Sequence, residues 1–355
     1  MISPSVDHYP FNMMDDEESG RRYDWSITVE QSIPLSGIRG HRRRAARAEA
    51  ARASADAERT VLDTVFEAQR VFFMLRERRR MRIVLDQQLE LARQLVSGAA
   101  ARYSSGTGLQ ADVLRAEVET ARIEAEQRAL ALRIKAAESM LNASMGLPPA
   151  SPIGELEYAP VFADLASIGA LQDRALSIRP ELRSGEAEIE RAAAEIDVMR
   201  SMYRPMALIR TGRASTMNEG AGAMLMVGIS VPLWRERLRA GVSEARAMER
   251  MARADFAAMQ LMIAGETAAA REEVQATHET LQALDAQVVP RADMAVSSAL
   301  AAYSSGQGTL VSVIDAMGAL WQARGDLVMA ESAYGEASIR LQRALGQDLH
   351  SDNTP

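Results

Sequence analysis

The sequence predicts an α+β fold in which long antiparallel, coiled-coil-like helical hairpins carry short β-hairpins, the whole arrangement occurring twice. Three observations predict it. Tyr103-Ser104-Ser105-Gly106 recurs as Tyr303-Ser304-Ser305-Gly306, and Leu141–Gly146 (LNASMG) recurs as Leu341–Gly346 (LQRALG), both at an offset of 200. No proline interrupts residues 35–147, where Ala, Arg, Glu and Leu dominate, the composition of long helices. Two short segments, each just before a long helical stretch, instead alternate apolar and polar residues with the period of a strand.

The first alternating segment is residues 25–35 (WSITVEQSIPL). Trp25, Ile27, Val29 and Ile33 fall on one face, with Gln31 its only polar member, and Ser26, Thr28, Glu30 and Ser32 on the other. Its counterpart near residues 224–233 (MLMVGISVPL) places Leu225, Val227, Ile229 and Val231 at matching positions. Residues 206–215 are expected to pair with it through the glycine-rich turn 218–222. A proline beside each strand's last residue is expected to end the ladder.

The first long helix is expected over 36–104, roughly 100 Å at 1.5 Å per residue. Gly106 permits the left-handed conformation that ends a helix, and a second helix should run over 109–145. The second half repeats this with helices at 234–304 and 309–345, the first kinked at Pro290. The first repeat thus covers 1–146 and the second 163–346. Between them lies a linker, 147–162, with four of the chain's twelve prolines. Two shorter helices, 163–177 and 180–202, open the second repeat, and 347–355 forms a tail.

Composition narrows the function. A net charge of −7 gives no electrostatic basis for binding nucleic acid. The absence of cysteine excludes disulfides, thiolate metal sites and cysteine nucleophiles. His8, His41, His278 and His350 are scattered without ligand spacing, and no catalytic arrangement or phosphate loop appears, so neither cofactor nor enzymatic activity is expected. The run Arg39–Arg47 (RGHRRRAAR) reads as a solvated helix face. Twenty methionines, several near the predicted hairpins, invite a soft-metal reading, although methionine more often fills irregular packing.

Isolated β-hairpins are marginal in water. A sheet with one apolar row suits either a wall facing lipid or a small soluble sheet packed on helices. In lipid a sheet must close on itself, and four strands per chain require several chains to do so. The long Ala-rich helices have no core of their own, so lateral packing against further copies satisfies both demands. A soluble coiled-coil scaffold carrying two hairpins is the alternative.

The strand-to-helix junctions QSIPLSGIRGHRRRAARAEA and GISVPLWRERLRAGVSEARA, the turns RYSSGTGLQADVLRAEVETA and AYSSGQGTLVSVIDAMGALWQAR, Arg179–Leu182 (RPEL) and the closing LQRALG resemble the TolC family of outer membrane efflux proteins, over residues 25–346. The resemblance implies a homotrimer whose strands complete a twelve-stranded barrel in outer-membrane lipid, above a periplasmic helical tunnel. It also implies a passive export conduit for small molecules or metal cations, working with a periplasmic adaptor and an inner-membrane transporter of RND type. Trp25, Ile27, Val29, Ile33, Leu225, Val227, Ile229 and Val231 would face lipid. The helical tips, with Tyr103, Gly106, Leu109, Asp112, Leu114, Tyr303, Gly306, Thr309, Leu310 and Val311, would meet the adaptor. Asp315 would contribute a carboxylate to the periplasmic gate, either as part of a cation-favouring ring or paired with Arg115. By this reading the first repeat begins short, with His8–Glu18 a degenerate strand, and lacks its export signal and any lipid-anchored cysteine.

Overall fold

A computed structural model describes residues 2–7, 24–157, 165–216 and 220–346. In chain order the elements are β1 (Ile2–Asp7), β2 (Asp24–Pro34), α1 (Ile38–Ser104), α2 (Gln110–Ser144), α3 (Ile168–Ile178), α4 (Pro180–Ser201), β3 (Met206–Thr216), β4 (Gly220–Ser230), α5 (Arg235–Ala283), a π-helical segment (Leu284–Val288), α6 (Val289–Ser304) and α7 (Leu310–Ala344). The expected strand at His8–Glu18, the end of the linker and the tail lie outside the described residues.

Most boundaries fall where the sequence places them, and four do not. The first half holds a strand before β2 at Ile2–Asp7, ahead of the segment His8–Glu18 where one was expected. Residues 2–7 (ISPSVD) pair antiparallel with β2, Ile2 opposite Val29 and Val6 opposite Trp25. Pro4 conceals this strand in the sequence, yet an edge position tolerates the missing N–H. β4 begins at Gly220 and stops at Ser230, so Val231 lies beyond it. Its partner β3 starts at Met206, opposite Ser230, which leaves Val231 nothing to pair with. α3 starts at Ile168 because the Ser167 hydroxyl caps it, accepting from the Ala170 amide at 3.4 Å. Finally, the helix expected over 234–304 is interrupted: the Val289 amide donates to Leu284, five residues back, immediately before Pro290. Proline removes one donor and its ring crowds the preceding turn, and the wider π turn accommodates it.

The chain forms two compact units, each drawing on both halves of the sequence. The first comprises residues 1–56 and 181–259. Its sheet is antiparallel in the order β1-β2-β3-β4. Its helices pack through small side chains, with Ala48, Ala55, Ala192, Ala194, Ala245 and Ala252 buried. Arg44 on α1 pairs with Asp197 on α4 at 2.7 Å.

The second unit comprises residues 57–180 and 260–355. One core gathers Leu95, Ala116, Val296, Tyr303, Leu310, Val313, Met317 and Trp321 from four helices. Another joins Val71, Leu75 and Leu85 of α1 to Leu130, Ile134 and Leu141 of α2. At Gly335 of α7 the Phe73 ring packs so closely on the helix backbone that an added Cβ would lie 2.1 Å from it. Beside it, the buried Ser332 hydroxyl donates to the Phe73 carbonyl, and Glu331 binds both Arg76 and Arg80. The Arg179 side chain is buried, pairs with Glu266 and reaches the Ala344 carbonyl, which explains the RPEL arginine as an anchor for the end of α7.

Candidate functional site

In the first unit the sheet register decides what each face presents. Ile27 lies opposite Arg213, Val29 opposite Thr211, and Ile33 opposite Ala207, while Thr211, Ile209 and Ala207 lie opposite Leu225, Val227 and Ile229. Direct partners share a face, so Ile27, Val29 and Ile33 come together on one side with Leu225, Val227 and Ile229, while Val231 lies beyond β4. In the same register the backbone of Trp25 pairs with Ser215. The side chains are open: Leu225 is 73% exposed, Val227 71% and Ile229 69%, with Ile27, Val29 and Ile209 also exposed.

The opposite face carries Ser26, Thr28, Glu30 and Ser32. Arg210 donates through Nε to Glu30 at 2.8 Å, a bond between direct cross-strand partners. Met206, Met224 and Met226 share this face, so it is less polar than a simple alternation predicts.

In the second unit the repeated phrase builds two near-identical turns. Gly106 and Gly306 adopt φ of +75° and +80°, where a side chain would be strained. In the first turn the Gly106 amide donates to the Tyr103 carbonyl and the Thr107 amide to that of Arg102; Gly306 and Gln307 repeat the pattern to Tyr303 and Ala302. These are the paired bonds of a Schellman helix end. Gly108 and Gly308 serve a different need: a Cβ there would meet the preceding helix at about 2.9 and 3.1 Å. The glycines therefore shape the turn.

The tips differ in what they expose. Tyr103, Leu109 and Leu114 are exposed, as are Thr309 and Val311. Tyr303 and Leu310 are instead core residues, 8% and 1% exposed. They were expected at the surface, but packing against α1 and α2 draws them inward. Thr309 caps α7 by accepting from the Ser312 amide at 3.2 Å, whereas Leu109 at the same position of α2 offers no cap.

Arg102, which sequence reasoning passed over, joins the two turns. Its Nη1 donates to the Tyr303 carbonyl at 2.7 Å, and its guanidinium stands 4.7 Å from the centroid of the Tyr303 ring. The signal was present: arginine precedes YSSG in the first copy and alanine in the second. The Tyr303 hydroxyl is buried without a hydrogen-bond partner among the described residues. Burial, and next the Asp112 carboxylate, push its pKa above the usual tyrosine value, while Arg102 opposes them. Arg115 reaches Asp112 on its own helix at 3.9 Å rather than Asp315, which is exposed on α7.

The family model for outer membrane efflux proteins matches residues 11–147 and 171–347. The chain belongs to that family. As an outer membrane efflux protein it is a channel component of export across the outer membrane, and the scaffold alternative is not favoured. It is 23% identical to the cobalt-zinc-cadmium resistance protein CzcC of Cupriavidus metallidurans over 93% of this chain and 79% of that one. It is 25% identical to the pyoverdine export outer membrane protein OpmQ of Pseudomonas putida over 75% and 58%. Among solved structures it resembles the outer membrane protein VceC of Vibrio cholerae (TM-score 0.78, 18% identity, 98% of this chain and 86% of that one). It also resembles the outer-membrane channel OprN (TM-score 0.81, 19% identity, 98% and 81%). These likenesses place the fold among TolC-like channels.

Proposed function

We propose that three copies assemble into a passive duct, each contributing four strands to a closed twelve-stranded barrel while the helices form a periplasmic tunnel. The carrying observation is the one-sided sheet: Ile27, Val29, Ile209, Leu225, Val227 and Ile229 share an exposed face, with the Glu30–Arg210 pair on the other. A lone open sheet would leave edge backbone groups unpaired in hydrocarbon, and closure removes that cost. Exposed Val118, Leu132, Leu261 and Met262 on the helices supply further surface for sister chains to cover. The matching turns at Gly106 and Gly306, and at Gly146 and Gly346, support descent of the two halves from one duplicated unit.

The partners in this reading are a periplasmic adaptor, met by tip residues Tyr103, Leu109, Leu114, Thr309 and Val311, and an inner-membrane pump of RND type. Gly106, Gly306, Tyr303 and Leu310 contribute by setting tip shape and packing. Asp112 and Arg115 hold each other beside the tip, and exposed Asp315 lines the gate, where three copies would form a carboxylate ring. The cargo class is small molecules or metal cations, the two kinds that the names of OpmQ and CzcC represent.

The test is extraction of the protein from outer membranes in detergent, its mass in solution, and single-channel recording in planar bilayers. A conducting trimer is expected, and Asp315→Ala should raise conductance or weaken block by divalent cations. A folded, monodisperse monomer in plain buffer would refute the reading.

A further inference from the structure

The end of the sheet where its strands meet helices carries a concentration of positive charge that the duct does not use. Pro34, Met206 and Ser230 are neighbours in register there, so α1, α4 and α5 all join the sheet at one end. Just outside the strands stand exposed apolar residues: Leu35, Val231, Leu233 and Trp234, the last 83% exposed. Arginines follow at once. Residues 39–47 supply five, Arg200 and Arg204 two more, and Arg235, Arg237 and Arg239 a further three, all exposed. Among the described residues, Asp197 and Glu236 are the only acids within the segments 39–47, 197–204 and 235–239, in a chain whose net charge is −7. Asp197 is occupied by Arg44 and Arg200, and Glu236 by Arg239. Seven of the ten arginines, including Arg42, Arg43 and Arg237, have no acidic partner among the described residues.

We infer that this collar binds the phosphate groups of anionic phospholipid in the leaflet adjoining the helices. The inference rests on the membrane reading of the sheet proposed above. An apolar face, then an exposed tryptophan and leucines, then unpaired guanidinium groups is the order of environments from hydrocarbon through interface to headgroup phosphate. A guanidinium also matches a phosphate with two parallel donors. Solvated arginines alone would account for charge on a helix, but ten of them from three separate segments share this one end of the sheet.

The experiment reconstitutes the full chain in vesicles of phosphatidylcholine mixed with phosphatidylglycerol. It compares by electron spin resonance how strongly spin-labelled versions of the two lipids associate with the protein. Preference for phosphatidylglycerol is expected, falling with added salt and dropping roughly three- to tenfold in the triple variant Arg42→Gln/Arg43→Gln/Arg237→Gln. Conductance of that variant should match the parent. The variant Arg122→Gln/Arg128→Gln/Arg133→Gln, with the same charge change on α2, should keep the preference. Equal association of both lipids with a conducting protein would overturn the inference, as would equal loss in the α2 variant or displacement of the labelled lipid by inorganic phosphate. A protein that neither inserts nor conducts in any vesicle would instead bring down the membrane reading, and this inference with it.

Discussion

Arg102 and Tyr303 clasp one another across the two helical turns, the guanidinium over the ring at 4.7 Å and Nη1 on the tyrosine's own carbonyl at 2.7 Å. A charged hydrogen bond of this kind contributes about 1.5–3 kcal/mol and a cation–π contact about 0.5–2 kcal/mol. Arg102→Ala should therefore speed amide hydrogen exchange in residues 300–312 by roughly tenfold or more. Tyr303→Phe should leave exchange nearly unchanged, because the lost hydroxyl has no hydrogen-bond partner among the described residues.

The same hydroxyl predicts an alkaline weakness. Burial raises the folded pKa of Tyr303 above the unfolded value, so its contribution to stability is complete below about pH 10 and is lost as pH rises through the folded value. Exchange at the tip should accelerate above that point, and Tyr303→Phe should flatten the rise. An identical alkaline profile in the phenylalanine variant would assign the effect to another group.

Gly335 and Phe73 make a third test. A methyl at 335 has no room beside the ring, so Gly335→Ala should destabilise the protein by about 1–3 kcal/mol, read as a lowered melting temperature. Phe73→Leu removes the obstructing atoms, and the double variant should recover part of the loss. Two independent, additive losses would mean that the pair is not in contact.

On the sheet, the two faces should respond oppositely to charge. Leu225→Arg places a cation on the apolar face at a cost of about 2–4 kcal/mol at mid-membrane depth, and should reduce insertion into vesicles. Met226→Arg, one residue along and on the face of Glu30, should insert normally. Equal defects in the two variants would argue against a lipid-facing side.

Periodicity made the strands and long helices readable from sequence, because Ile27, Val29, Leu225 and Val227 alternate and proline is absent over residues 35–147. Ends were less readable. β4 stops where β3 begins, a limit set by its partner rather than by its own residues. β1 was hidden by Pro4 and by its brevity, since pairing with β2 supplies the stability that its local pattern lacks. At the tips, identical phrases gave identical turns, yet their burial diverged. Tyr103 and Tyr303 share the phrase YSSG but follow Arg102 and Ala302 respectively, and tertiary packing gives them opposite environments in space.

The wide turn at Leu284–Val288 also sets the azimuth of everything that follows it. Such a turn accommodates one residue beyond the ordinary helical count, and each residue of an α-helix advances the side chains by about 100°. Deleting one residue there would preserve the facing of Val296 and Tyr303 while removing the turn that accommodates Pro290, whereas deleting one at residue 294 would swing the tyrosine out of its core. The helix thus has one stretch where a change in length leaves the later side chains in place, some fifteen residues from a side chain whose direction cannot change.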